Sequence, residues 1–228
     1  STPKPSSAAS DVYKRQSTDN TIDIVESFKQ EISYFISERD KGIYHGMNKG
    51  IKVATGDIIG ILNADDVYPN RFVIEDVINH FLQNNSDTIF GDLVYVDSKD
   101  MHKVVRYWKS GDFDREKIQY GWMLPHPTFF IKKEIYDKYG VYSDKLKSAA
   151  DYEMMLRLLY KNRCTTSYLP KILVNMRSGG YSNESILHRL RGNSEDVMAW
   201  RLNDLDPPKL LRILKPLSKV KQFIRNPE

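Results

Sequence analysis

Asp57-Ile58-Ile59-Gly60-Ile61-Leu62-Asn63-Ala64-Asp65-Asp66 is the stretch that decides how the rest of the chain is read. Asp57 to Leu62 is short, rich in isoleucine and free of proline, the pattern of a buried strand. It runs into two adjacent carboxylates, and Tyr68-Pro69 then opens a helix. Open α/β sheets bind ligands beyond the carboxyl ends of their strands. Adjacent carboxylates repel and are costly unless solvent or a cation relieves them. Hard divalent cations that carry phosphate oxygens are held by one or two carboxylates plus water. Two readings of Asp65-Asp66 therefore stand side by side: a metal-diphosphate site, or a solvated turn of the kind aspartate favours after strands.

Outward from this stretch, helix and strand patterns alternate. Ser17-Thr18-Asp19 can cap a helix with Ile22, Val25 and Phe28 on one face, and Ile32 to Ser37 follows as a strand. Gly42 to Ala54 sets Ile43, Met47, Ile51 and Ala54 at helical spacing before the stop at Gly56. After the aspartates, Ile74, Val77, Ile78 and Phe81 mark another helix, and Asp87 to Asp97 a strand. Lys103 to Trp108 and Thr128 to Lys132 predict strands, Asp151 to Tyr160 a helix, and Tyr168 to Met176 a strand. The alternation predicts an α/β sheet with helices on both faces.

Bulk properties set limits. At 228 residues the chain is long enough for one domain and a tail, and its formal charge of +4 does not call for nucleic acid. The lone Cys164 cannot form an intramolecular disulfide, which suits a reducing compartment. No apolar run is long enough to span a membrane, and the N-terminus lacks the apolar core of a signal peptide. The expectation is a cytoplasmic protein. Residues 1–16 show no periodicity and are read as a disordered or non-native segment, outside a domain covering 17–205.

Other constellations have more than one reading. Ser37 to Gly42 follows a strand and opens a helix, so its amides can face an anion with Lys41 as a point charge, or it is a plain charged connection. Asn48, one turn into that helix, reads singly as solvated or capping. His126, within Gly121 to Pro127, lines a pocket or fixes a strand entrance. Asp151 begins a helix anchored by Tyr152, Met155, Leu156 and Leu159. It is a rigidly held general base or an acidic N-cap.

The order of these pieces carries more than any one of them. Asp40-Lys41-Gly42-Ile43-Tyr44, Met47-Asn48-Lys49-Gly50, Ala54-Thr55-Gly56-Asp57, Asn63-Ala64-Asp65-Asp66, Gly91-Asp92, His126-Pro127-Thr128-Phe129-Phe130, Ala150-Asp151-Tyr152-Glu153 and Gly179-Gly180-Tyr181-Ser182 follow Ser17-Thr18-Asp19. The series closely resembles family 2 glycosyltransferases of the bacterial cell-surface polysaccharide type, over roughly residues 17–200. The resemblance implies a GT-A-like open sheet, a nucleotide-diphospho-sugar donor, a saccharide or lipid-linked saccharide acceptor, and Mg2+ or Mn2+. It implies Asp66 as the metal ligand, Asp65, Lys41 and Asn48 on the donor side, Asp151 as the base, and His126 bordering the acceptor. Where a Glu-Asp pair is common in the family, this chain has Ala150-Asp151. The resemblance also implies that the N-terminal strands of the nucleotide-binding half are missing, which leaves an inactive remnant or partner-binding domain as a competing reading. A metal-dependent nucleotidyltransferase, which can also use paired aspartates beyond a strand, is another.

Residues 206–228 differ in character. Asp206-Pro207-Pro208 breaks the chain, and Lys209 to Arg225 carries six basic residues and no acid, with Leu210, Ile213, Leu214, Leu217, Val220 and Ile224 at helical spacing. Such a segment lies on the anionic inner face of a cell membrane or packs on its own domain.

Overall fold

A computed structural model describes residues 11–14, 20–179, 186–209, 211 and 215. The Ser17-Thr18-Asp19 and Gly180-Tyr181-Ser182 stretches lie outside them. Among the described residues two sheets are built from seven strands. β1 (Asp11–Lys14) pairs in parallel with β2 (Tyr34–Ser37) across α1 (Thr21–Ser27). The main sheet comprises β3 (Ile58–Ile59), β4 (Thr88–Val96), β5 (Val104–Trp108), β6 (Phe130–Lys132) and β7 (Thr166–Arg177). β4 is its spine. β7 runs parallel along one edge of β4, while β6 and then β5 pair antiparallel with its other edge. β3 pairs antiparallel with β6, so β3, β4 and β7 all point the same way. β3 ends level with the start of β4, while the carboxyl ends of β4 and β7 share one rim.

Helices cover both faces. α3 (Val73–Asn84) packs Val73, Val77 and Phe81 on one side with Ile89, Leu93, Leu173 and Val174. On the other side, α2 (Ile43–Val53), α4 (Lys133–Tyr139), α5 (Ala150–Met155) and α6 (Ile186–Leu202) surround a larger core around Phe90, Ile131, Met154 and Trp200. β4 is buried on both faces, which is why its sequence is apolar almost without alternation. α5 continues into a π-helical turn, Leu156–Lys161.

Several expectations are corrected. Asp11–Lys14, excluded from the fold with the rest of 1–16, forms a strand. Parallel pairing with β2 supplies the backbone partners that a four-residue segment without periodicity does not announce. The strand expected over Asp57 to Leu62 pairs only through Ile58–Ile59. At Gly60 the chain passes so close to the Phe130 ring that a Cβ would sit 2.6 Å from its Cδ1, and the strand ends there. Ile43, expected on the buried face of α2, is exposed; Ile51, expected on that face, is buried, and Tyr44 and Gly46 are buried with it. Ile22 and Phe28 are exposed and Val25 alone faces inward from α1. The helix expected to open at Pro69 begins at Val73.

The tail reading also changes. Leu211 is buried, and Lys215 is sealed against the domain with its Nζ 2.5 Å from Asp196 Oδ1 and 3.5 Å from the Tyr152 ring centre. Gly121, at φ +81°, makes room for it, because a Cβ there would lie 2.6 Å from the Lys215 backbone N. The described part of the 209–225 segment therefore packs on its own domain. The remainder lies outside the described residues.

Candidate active site

The loop after β3 crosses the rim formed by the parallel strands. Val67 exchanges backbone hydrogen bonds with Asn175 of β7, at 3.1 and 2.8 Å. This pins Asp65-Asp66 near the carboxyl end of β7. Asp65 is exposed, whereas Asp66 is 4% exposed. Asn63 Nδ2 donates to Asp66 Oδ2 at 2.8 Å, but Oδ1 is buried without a hydrogen-bond partner. Burial, against the hydrogen bond from Asn63 and with the neighbouring charge of Asp65, pushes the Asp66 carboxyl up to about 6. Such an atom needs a proton or a cation. Among the described residues no group of three or more His, Cys, Asp or Glu side chains is gathered as a ligand cage. The donor set thus fits a hard cation held by one protein carboxylate, with its other positions filled by ligand oxygens and water.

A second cluster gathers around the start of α5. Tyr44 and Asn48 stand one turn apart on α2 and therefore share a face. Asn48 clamps the backbone of Tyr142 from both sides, donating from Nδ2 to its carbonyl and accepting its N–H at Oδ1, each at 2.9 Å. The Tyr142 ring stacks on Tyr44 with centroids 5.4 Å apart, and its hydroxyl lies 2.5 Å from His126 Nε2. Tyr44 donates its hydroxyl to Asp151 Oδ1 at 3.1 Å. Burial pushes the His126 imidazole down, while the charge of Asp151 opposes that shift. The same burial raises both phenols, so Tyr44 and Tyr142 remain protonated donors.

The loop carrying Tyr142 is held from behind. Arg157 donates to the carbonyls of Tyr139, Gly140 and Val141 at 2.5, 2.9 and 2.7 Å, capping the end of α4. Its guanidinium also pairs with the buried Glu153 through two bonds of 3.0 and 3.1 Å, and Asn203 donates to the same carboxylate. A planar fork that satisfies three carbonyls and a carboxylate fixes the loop far better than a point charge does.

Asp151 does not occupy the N-cap of its own helix. The N-cap position is Ala149, with no side-chain hydrogen bond. Glu195, reaching from α6, takes the amides of Lys147, Ser148 and Ala149 on Oε2 at 3.0, 2.7 and 3.1 Å. Those amides lie just before the helix, while Asp151 Oδ1 takes the first-turn amide of Tyr152 at 2.8 Å, and the half-buried carboxylate sits beside two tyrosines and a histidine.

Of the residues singled out from sequence, the structure brings Asn48, His126 and Asp151 together through Tyr142 and Tyr44. Asp66 lies on the strand rim. Lys41 is exposed at the start of α2, with its amide 3.4 Å from His45 Nδ1. Sequence reasoning passed over Tyr44, Tyr142, Arg157 and Glu195. Tyr44 was signalled within Asp40-Lys41-Gly42-Ile43-Tyr44; the others carry no local pattern.

Comparison with known proteins bears on the family and the fold. Residues 13–145 match the family model described as glycosyl transferase family 2. A PGL/p-HBAD biosynthesis glycosyltransferase of Mycobacterium bovis is 25% identical over 172 residues, covering 73% of this chain and 64% of that protein. The crystal structure of Staphylococcus aureus TarS 1-349 superposes with a TM-score of 0.63 at 17% identity, covering 92% of this chain and 62% of that one. TarS has also been solved in complex with UDP-GlcNAc. The mannosyltransferase PcManGT of Pyrobaculum calidifontis, in complex with GDP-Man and Mn2+, gives 0.58 at 16% identity, covering 92% and 59%. The chain thus spans just under two thirds of the first relatives it matches. With its mixed open sheet, helices on both faces and a family match over more than half its length, the chain belongs to glycosyl transferase family 2.

Proposed function

We propose that this chain carries the catalytic site of an inverting glycosyltransferase that moves a sugar from a nucleotide-diphospho-sugar to an acceptor hydroxyl in cell-surface polysaccharide synthesis. The observation that carries the reading is Asp66, a buried carboxylate with one partnerless oxygen on the rim where parallel strands end. Asp66 offers that oxygen to Mg2+ or Mn2+, and the exposed Asp65 holds the nucleotide-sugar. A cation bound there supplies Lewis-acid neutralisation of the departing diphosphate. Lys41 adds a positive charge from the start of α2, and Asn48 holds the Tyr142 backbone beside the base and His126.

Asp151 takes the proton from the acceptor hydroxyl as its oxygen bonds to the anomeric carbon. The bond from that carbon to the diphosphate oxygen breaks in the same displacement, so the configuration inverts. His126, neutral and bonded to Tyr142, borders the acceptor. A saccharide or lipid-linked saccharide acceptor suits such a site. Among the described residues no helix is long and apolar enough to cross a membrane. Contact with an anionic membrane surface falls to 209–225, without Lys215, which is paired with Asp196.

Calorimetry tests this directly. UDP and GDP are titrated into the chain and into Asp66→Asn, each with and without Mn2+. Heat that requires Mn2+ and disappears in D66N is expected for one of the two nucleotides. Equal binding by both proteins, or binding indifferent to Mn2+, rejects the assignment of Asp66.

A further inference from the structure

We propose that Tyr44 is a positioning residue for Asp151, its hydroxyl reaching from α2 to hold one carboxylate oxygen so that the other is presented to the acceptor. The inference rests on the reading of Asp151 as the base. Both hydrogen bonds that the carboxylate accepts from described residues fall on Oδ1: the Tyr44 hydroxyl at 3.1 Å and the Tyr152 amide at 2.8 Å. Oδ2 is thereby the oxygen left to receive a proton. Two donors converging on one oxygen from different elements fix the plane of the carboxylate as well as its position.

The donor is itself immobilised. Tyr44 is 9% exposed, its ring stacks on Tyr142, and Tyr142 is clamped by Asn48 and His126. The start of α5 leans on the same hydroxyl, because the amides of Ala150 and Asp151 lie close enough to the phenol oxygen to favour its ionised form. Glu195 from α6 takes the three amides that precede the helix, so side chains from α2 and α6 both bear on the start of α5. A carboxylate whose helix is set from outside is held to the geometry that proton transfer needs.

The charged and titratable groups facing Asp151 are Tyr44 from α2, His126 from the loop before β6, and Tyr142 from the loop after α4. Removing the Tyr44 O–H takes a donor from the ionised carboxylate and leaves the other two groups in place. The test is carboxyl 13C NMR of the full chain labelled at aspartate, with the Asp151 resonance identified by its loss in Asp151→Asn. In Tyr44→Phe the Asp151 carboxyl resonance and its pH profile are expected to change, because the ionised carboxylate has lost a donor. An unmoved titration in folded Y44F overturns the proposal.

Should Y44F fail to fold, the unmodified chain still decides. Its Tyr44 Cζ resonance should follow the Asp151 titration, and one that ignores it overturns the contact. Release of UDP from UDP-GlcNAc and of GDP from GDP-Man, with Mn2+, separates the two levels of the reading. Turnover retained in D151N removes the base assignment and the role of Tyr44 with it. Turnover lost in D151N beside an unmoved Y44F titration removes Tyr44 alone.

Discussion

Asp66 and His126 pull the stability of the fold in opposite directions as pH changes. Burial raises Asp66 to about 6, so the folded chain holds that proton more tightly than the unfolded one. Its contribution is complete below the ordinary carboxylate range and is lost as pH rises through about 6. Asp66→Asn should therefore be more stable than wild type at pH 7, by on the order of 2 kcal/mol, and indistinguishable from it near pH 4, in urea unfolding curves. His126 is pushed down by burial, so its contribution is complete above its ordinary value near 6.5 and is lost as pH falls below that. His126→Gln, which keeps a polar group near the Tyr142 hydroxyl, should flatten the acid side of the same curves. Metal-dependent nucleotide binding should weaken as pH falls below about 6, because a cation requires the deprotonated carboxylate. Asp66, Asn48 and Asp151 were legible as candidates because each sits in a short ordered motif. The work of Tyr142 was not, since it meets Asn48 across 94 residues of chain, and Tyr44 meets Asp151 across 107. Contacts of that span leave no trace in periodicity.

Among the elements, β4 and α3 were plain from sequence because their patterns match what the core demands of them. The join between β4 and β7 was not. Phe90 faces Tyr168 but Asp92 faces Ile172, so β7 carries two extra residues around Pro170 where β4 has Gly91. A Cβ on Gly91 would lie 2.6 Å from Leu173 Cδ1 and 2.9 Å from the Lys171 carbonyl oxygen. Gly91→Ala is accordingly expected to cost about 1–3 kcal/mol, measured by chemical denaturation, because the bulge cannot move away without unzipping the spine of the sheet. The neighbouring Asp92 shows why that spine is sensitive. It is buried and accepts from Tyr107, Tyr168 and the Ser110 amide, and a shifted β7 would withdraw Tyr168 from that set. At α5 the relevant contact comes from another helix. Glu195→Ala strands three amides and should destabilise by about 1–2 kcal/mol, with α5 amides losing hydrogen-exchange protection before those of α3. The approach to α5 is held by a residue 46 or more positions away, and Ala149 at the N-cap position gave no hint of it.

At the scale of the molecule, Lys215 ties the tail to the domain through a pair whose side chains are 11% and 9% exposed. Breaking such a pair from one side leaves a buried charge, so Lys215→Ala should cost about 3 kcal/mol. Replacing both members, Lys215→Met with Asp196→Leu, should restore most of that loss in thermal or urea unfolding. Restoration would show that the contact serves as a clasp more than as a source of stability. The tie lands on Tyr152, the residue after Asp151, so the tail and the proposed base share a mounting. The π-helical turn at Leu156–Lys161 has a consequence of another kind. Each residue of a regular helix advances the face by about 100°, and a π turn absorbs one residue more than an α turn does. Asp151 and the anchors Leu158 and Leu159 are thus set at a relative phase that depends on that surplus residue. Deleting one residue from 156–161 would let the helix relax into a more regular form while rotating its two ends against each other. The chain would keep a helix and lose its aim, like a key recut with one tooth turned aside.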